Sequence, residues 1–235
     1  MTRWHSRGEK CFVLDLPLAE VIVASIRIDG APRLALIEKG QLPADAWQRE
    51  TVIDETRRSY RLRLDGITIP ASQLMPGADF RAIERAALIL LSAEIAGGLV
   101  GVLHVIVEYL TTRKQFDKLI GSYQALKHPT VDILLSAEAS RSHAYHVATL
   151  LDRQADEGEI DTALHMAKAQ GSEAFAYAGD RAIQFHGALG FTWECDAQLY
   201  LRRALWCQYQ FGDERYHRQQ LGPLLLGETA PAGSN

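Results

Sequence analysis

The sequence predicts an α+β protein that is mainly helical, with a small antiparallel β region followed by a four-helix bundle. Three observations carry that expectation. From Lys10 to about Pro70 the apolar residues fall in short runs rich in Val, Ile, Leu and Tyr, broken by Pro17, Gly30, Pro32, Gly40, Pro43 and Gly66. After "IPASQLMPGADF" the apolar spacing lengthens to three and four residues, the period of a helix face. The length, 235 residues, suits one large domain or one small and one medium domain. The expected division is a β region over residues 1–76, a helical domain over 77–228 and a flexible tail over 229–235.

Within the first region "KCFVLDL", "EVIVASIRI", "RLALIEK" and "SYRLRLDGITI" read as strands, and "YRLRLDGITI" alternates at period two as a half-buried antiparallel strand does. A long apolar helix then runs to about Thr112. A second carries Leu126, Ile133, Ala137, Ala144, Val147, Ala148 and Leu151 on one stripe, and the acidic "DEGEID" reads as the turn that follows. A third carries Ile160, Ala163, Leu164, Ala167, Gly171, Ala174, Ala178, Ala182 and Phe185. A fourth spans about 196–212, and a short one about 214–225. Small residues on the third stripe let neighbouring backbones come close, which favours an antiparallel bundle.

Apolar residues make up 47% and charged residues 23%, the ordinary globular range. A net charge of −4 with the two signs interleaved leaves no field for nucleic acid or an anionic membrane. Three scattered cysteines, Cys11, Cys195 and Cys207, fit neither a disulfide framework nor structural zinc, and a reducing cytoplasm is the expected compartment. No signal-peptide pattern opens the chain. Residues 86–110 are apolar apart from Glu94, His104 and Glu108; a mid-membrane carboxylate costs roughly 2.5 to 3.5 kcal/mol, so burial in a bundle or oligomer is expected instead.

The stretch "DRAIQFHGALGFTWECDAQLYLRRALW" (180–206) sets Gln184, His186, Gly187 and Gly190 between two helical segments. On local grammar it is a helix C-terminus stopped by glycine. His186 lacks a second ligand at useful spacing, so no metal site is expected. Arg113 reads locally as a surface cation paired with Glu108 or Asp117, and Gln124 and Lys168 as solvated helix residues. Trp193, Tyr200, Trp206, Tyr209 and Phe211 read as core.

Taken together, "RKQF" (113–116), Gln124 eight residues beyond Phe116, Lys168 in "AKAQGSEAF" and "IQFHGALGF" (183–191) resemble the acyl-CoA dehydrogenase family, over its middle β domain and C-terminal bundle. The resemblance implies FAD as cofactor and an acyl-CoA thioester as substrate. It also implies assembly as a homo-oligomer or with a full-length acyl-CoA dehydrogenase subunit. It places Arg113, Phe116, Gln124, Gln184, Gly187 and Gly190 along the FAD site. The chemistry agrees: a guanidinium suits a pyrophosphate, and glycine permits close approach of backbone to a ligand.

The sequence departs from that family in several places. Phe211 occupies the position of the glutamate base in the family's E-G-T sequence, and the alternative site early in the first bundle helix falls at about Ala87. Glu84, Glu94, Asp213 and Glu214 do not simply inherit the role, so no catalytic base is assigned. Phe12 and Leu14 stand where the family sets tryptophan and threonine against the flavin, Asp117 follows the R-x-x-F motif in place of glycine, and Ala188 replaces a loop glycine. The family's N-terminal helical domain and first β strands have no counterpart before Gly8. The expectation is a degenerate or partner subunit of a heteromeric FAD-dependent acyl-CoA dehydrogenase, inactive alone. The competing expectation is an inactive scaffold or truncated member that binds no flavin.

Overall fold

The computed structural model describes residues 3–75 and 79–227. Both the expected 76/77 boundary and the 229–235 tail lie outside these residues. The chain divides into two compact units, 1–80 and 81–235.

The first unit is built from β1 (Arg3–His5), β2 (Glu9–Leu14), β3 (Val21–Ile28), β4 (Ala31–Glu38), β5 (Trp47–Arg49), β6 (Ser59–Arg63), β7 (Thr68–Pro70) and β8 (Leu74–Met75). All pairs are antiparallel: β1 with β7, β2-β6-β5, and β3-β4-β8. Leu16, Ile37, Leu62, Ile67 and Ile69 lie at its apolar centre. The β3–β4 hairpin turns on Asp29 and Gly30, both left-handed (φ 50° and 78°), a two-residue turn whose twist matches the strands. "YRLRLDGITI" is not one strand. It breaks into β6 and β7 around Gly66, whose φ of 76° turns the chain.

The second unit contains α1 (Phe80–Thr112), a hairpin of β9 (Lys114–Gln115) and β10 (Lys118–Leu119), then α2 (Gln124–Asp152), α3 (Glu157–His186), α4 (Ala197–Tyr209) and α5 (Glu214–Leu226). The acidic "DEGEID" opens α3 instead of forming the expected turn. The Asp156 carboxylate accepts from the backbone N–H of Gly158 (2.8 Å) and Glu159 (3.4 Å), and Glu157 and Glu159 favour the positive end of the helix dipole.

Helix α3 is the hub, packing on α2, α4 and α5. Its small residues set the distances. A Cβ on Gly179 would stand 2.8 Å from Leu201 Cα of α4, and one on Gly171 would stand 3.0 Å from Ile95 Cγ2 of α1. Helix α1 answers with its own notches: Gly98 receives the Phe175 ring of α3 and Gly101 receives Tyr200 of α4. Leu88, Val147, Leu150, Ile160, Ala163, Leu164 and Ala167 from α1, α2 and α3 form one buried cluster. Helix α1 is long and apolar enough to cross a membrane by length and composition. It is nonetheless a bundle helix, with Leu88, Ile95, Leu99, Val102 and Ile106 at 2% exposure or less, and Glu94 is bonded to Arg203 Nη1 of α4 (2.7 Å).

The aromatic set divides. Trp206 is buried and Tyr200 half-buried, but Trp193, Tyr209 and Phe211 are exposed, correcting the expectation that all five are core. Trp193 is covered on one face by the Arg202 guanidinium (5.0 Å).

The β3 register yields a prediction. With Ile28 opposite Ala31 across a two-residue turn, the even-numbered residues of β3 exchange backbone bonds with β4; the bond from Lys39 N to Glu20 O (2.9 Å) continues the parity. The N–H of Val23 therefore points away from β4 and that of Ala24 toward it. Val23→Pro is expected to cost about 1 kcal/mol or less, and Ala24→Pro about 3 kcal/mol or more, in urea unfolding. Equal losses would contradict the register.

Candidate functional site

The Arg113 and Gln184 segments, far apart in sequence, meet at one end of the bundle. Tyr109, one turn before the end of α1, stacks on His186 at the end of α3, with ring centroids 4.1 Å apart and planes inclined by 25°. The His186 ring is fixed from the other side, because Nδ1–H donates to Ala182 O (2.7 Å). Arg113 follows directly, its N–H donating to Tyr109 O (3.0 Å). The same stack thus ties the Arg113 end of α1 to the glycine loop after α3.

Beyond Arg113 the chain makes the β9–β10 hairpin. Phe116 and Asp117 form its two-residue turn, both left-handed (φ 53° and 58°), and Phe116 is 86% exposed. The Asp117 conformation is one that glycine adopts without strain. The hairpin closes through Ile120 N–H to Arg113 O (2.9 Å), and the Tyr123 hydroxyl donates to Gln115 O (3.2 Å). Gln124, exposed, is the first residue of α2. Arg113 is exposed and its guanidinium has no partner among the described residues, so the expected pairing with Glu108 or Asp117 is absent.

On the α3 side, Gln184 is exposed on the last turn. Gly187 closes the helix with φ 61° and has open space where a Cβ would stand. Gly190 is required for a different reason: a Cβ there would lie 2.5 Å from Ile183 O. Five of the six expected site residues (Arg113, Phe116, Gln124, Gln184 and Gly187) present exposed surface; Gly190 is buried beneath the loop. Arg113, Phe116, Gln184 and the loop share one end of α1 and α3 through the Tyr109–His186 stack.

A second centre, missed in the sequence, lies at the connection between α4 and α5. Lys168 is not a solvated helix residue: its side chain is fully buried, and Nζ donates to Ser172 Oγ (3.0 Å), Gln208 O (2.9 Å) and Gly212 O (2.7 Å). Burial pushes its pKa down to about 8, against the pull of Cys207, Glu214 and Asp213. The ammonium group caps the end of α4 and ties Gln208 to Gly212, spanning Phe211; Phe211 and Gly212 both have positive φ (56° and 99°). Phe211 is 51% exposed. Asp213 is engaged as the α5 cap, accepting from Tyr216 N–H (2.8 Å), and Glu214 accepts from Gln208 Nε2 (2.8 Å). The carboxylates flanking position 211 thus have structural partners, as Glu94 has Arg203. Ala87 is half-buried on α1, and Glu84 is exposed beside a polar cavity. In the first unit, Phe12 and Leu14 are exposed, Phe12 with a left-handed backbone. Among the described residues no cluster of three metal-ligating side chains occurs, and the three cysteines are free.

Replacing Lys168 by Met leaves the Gln208 and Gly212 carbonyls without their donor and is expected to cost about 2 kcal/mol at neutral pH. Because the folded pKa, about 8, lies below the unfolded 10.5, the unfolded chain binds more protons between those values. The native chain therefore gains stability relative to Lys168→Met as pH rises from about 8 to 10.5. Urea unfolding of both proteins across that window checks the sign; a gap that narrows with pH would contradict it.

The comparisons with known proteins agree with this architecture. Residues 82–225 match the family model for the acyl-CoA dehydrogenase C-terminal domain. The acyl-CoA dehydrogenase IpdE2 of Mycobacterium tuberculosis is 35% identical over 160 residues, 67% of this chain and 45% of the relative. The acyl-CoA dehydrogenase FadE12 of the same organism is 28% identical over 203 residues, 81% of this chain and 52% of the relative. In fold, the glutaryl-CoA dehydrogenase of Mycobacterium smegmatis superposes with a TM-score of 0.86 at 20% identity, covering 97% of this chain and 60% of that one. The chain spans about half the length of these curated relatives. With more than half of its residues in the family's C-terminal domain, the chain belongs to the acyl-CoA dehydrogenase family.

Proposed function

We propose that the chain is a cytoplasmic subunit of an FAD-dependent acyl-CoA dehydrogenase, an oxidoreductase acting on a CH–CH bond. In this reading it supplies the bundle and one wall of a flavin site. A full-length family member supplies the rest, including the base that takes the α-proton of the thioester, and a second copy of this chain can share only the assembly surface. The observation that carries the reading is the joining of an Arg113 guanidinium that has no partner among the described residues to an open glycine loop through the Tyr109–His186 stack.

The residues fit one side of a dinucleotide. Arg113 offers a planar donor fork for a pyrophosphate, Gln184 an exposed amide, and Gly187 backbone that a ligand can approach closely. Bound FAD would supply the hydride acceptor. Phe211 contributes no proton acceptor, Asp213 is engaged as the α5 cap and Glu214 by the Gln208 amide. Exposed apolar side chains on the bundle, among them Leu90 of α1 and Leu135 and Tyr145 of α2, support assembly with another protein surface.

A second reading, an inactive assembly module that binds no flavin, is favoured by Asp117, an exposed anion one residue from Phe116, and by Phe211 itself. Titration of the purified chain with FAD, alone and with a co-purifying partner, followed by flavin absorbance, separates the two. A charge-assisted contact contributes about 1.5 to 3 kcal/mol, so Arg113→Ala is expected to weaken FAD roughly ten- to a hundredfold with helical content unchanged. Lys127→Ala, an exposed α2 cation, serves as control. Equal losses would indicate a diffuse field, and no flavin binding under either condition would favour the assembly module.

A further inference from the structure

Helix α5 packs on α3 but encloses little of its own side-chain surface there. Its one buried residue is His217, whose side chain is wholly enclosed; Leu224, Leu225 and Leu226 are exposed, and Arg218 pairs with Glu173 of α3 at the surface. The His217 ring sits between two partners. Nε2 lies 3.0 Å from Phe211 O, and Nδ1 lies 2.7 Å from Nδ1 of His165 on α3. The Tyr216 ring meets it edge-on, with centroids 5.1 Å apart.

These distances fix the proton positions. A carbonyl only accepts, so His217 Nε2 carries hydrogen and donates to Phe211 O. Neutral His217 then has a bare Nδ1, which accepts from His165 Nδ1–H. His165 is left with its Nε2 to take a proton, and the residue lines a cavity of about 250 Å³ together with Arg81, Glu84, Arg85, Asp161 and Tyr216. The chain from cavity to connection is therefore His165 to His217 to the carbonyl of residue 211.

We propose that the His165–His217 pair is a proton-sensitive latch whose opening frees α5 and the Phe211 connection from α3. A first proton taken by His165 at Nε2 leaves the Nδ1–H to Nδ1 bond intact. A proton taken from solvent by His217 at Nδ1 turns the acceptor into a donor, sets two N–H groups against each other at 2.7 Å, and removes the buried bond between α5 and α3.

The surroundings oppose that second proton. Burial, then the Lys168 ammonium and His165, push the His217 pKa down to about 4, while the Phe211 and Gly212 carbonyls pull it up. Burial also lowers His165, against the pull of Asp161 and Glu84; Asp161 is itself held by Arg81 and Arg85 of α1. Cys207 of α4 and Asp213 and Glu214 at the α5 cap complete the titratable groups around Lys168. Since the folded value lies below the unfolded 6.5, the latch is fully closed above about pH 6.5 and loses stability as pH falls toward 4.

The test is hydrogen exchange of the full chain at pH 7.5 and 4.5, corrected for intrinsic rates, comparing segment 209–222 with the core of α1. Opening of 209–222 is expected to rise between tenfold and a hundredfold at the lower pH while the α1 core stays protected. His217→Phe, which fills the ring's space without titrating, is expected to abolish that rise. His165→Gln, which still offers an N–H to His217 but holds no second charge, is expected to reduce it, and it decides the matter alone where His217→Phe does not fold. Exchange of 209–222 that does not rise relative to α1, or a rise undiminished in the folding variants, would overturn the latch.

Discussion

The structure of the helical unit depends on how closely α3 lets its neighbours approach. Gly179 and Gly171, with Ala174, Ala178 and Ala182 along the same helix, bring α4 and α1 to distances that a larger side chain forbids. The neighbours are shaped to match, since Gly98 and Gly101 of α1 accommodate the rings of Phe175 and Tyr200. This mutual notching places the end of α1 beside the end of α3, and so brings Tyr109 onto His186. The candidate flavin wall is a consequence of packing along the helices far from it.

The same closeness forces polar groups into the interior, where each must find a partner. Lys168 meets the requirement by spending its three donors on Ser172 and two backbone carbonyls at the α4–α5 connection. His217 meets it with one carbonyl and one imidazole. Both anchor the stretch that carries Phe211, a residue with no proton-accepting group. A buried lysine and a buried histidine thus hold in place a connection whose own residue, Phe211, is apolar and exposed.

The long helices were legible because their apolar residues recur at helical spacing over seven turns or more, as on α3 from Ile160 to Phe185. Strands of two or three residues, β1, β5 and β8, are too short to leave a periodic signature. "DEGEID" misled because acidic residues suit both a turn and the first turn of a helix, and only the Asp156 cap decides. Lys168 looked solvated because two of its three acceptors are backbone carbonyls forty and more residues away, which no side-chain pattern reveals. The His165–His217 contact was hidden because the two residues lie 52 apart in sequence, while Gly187 was read correctly as a helix stop.

The measurement that bears most directly on this account is a pair of thermal melts. At Gly179 an added methyl meets the backbone of Leu201, which cannot move aside without shifting α4; at Gly97 of α1 it meets nothing within 4 Å. Gly97→Ala is expected to melt at or slightly above the native temperature, since alanine favours a helix interior by about 0.5 to 1 kcal/mol. Gly179→Ala is expected to melt well below it, by roughly 5 °C or more for a loss of about 2 kcal/mol. Indistinguishable melting temperatures for the two variants would contradict the claim that close approach along α3 holds the bundle together.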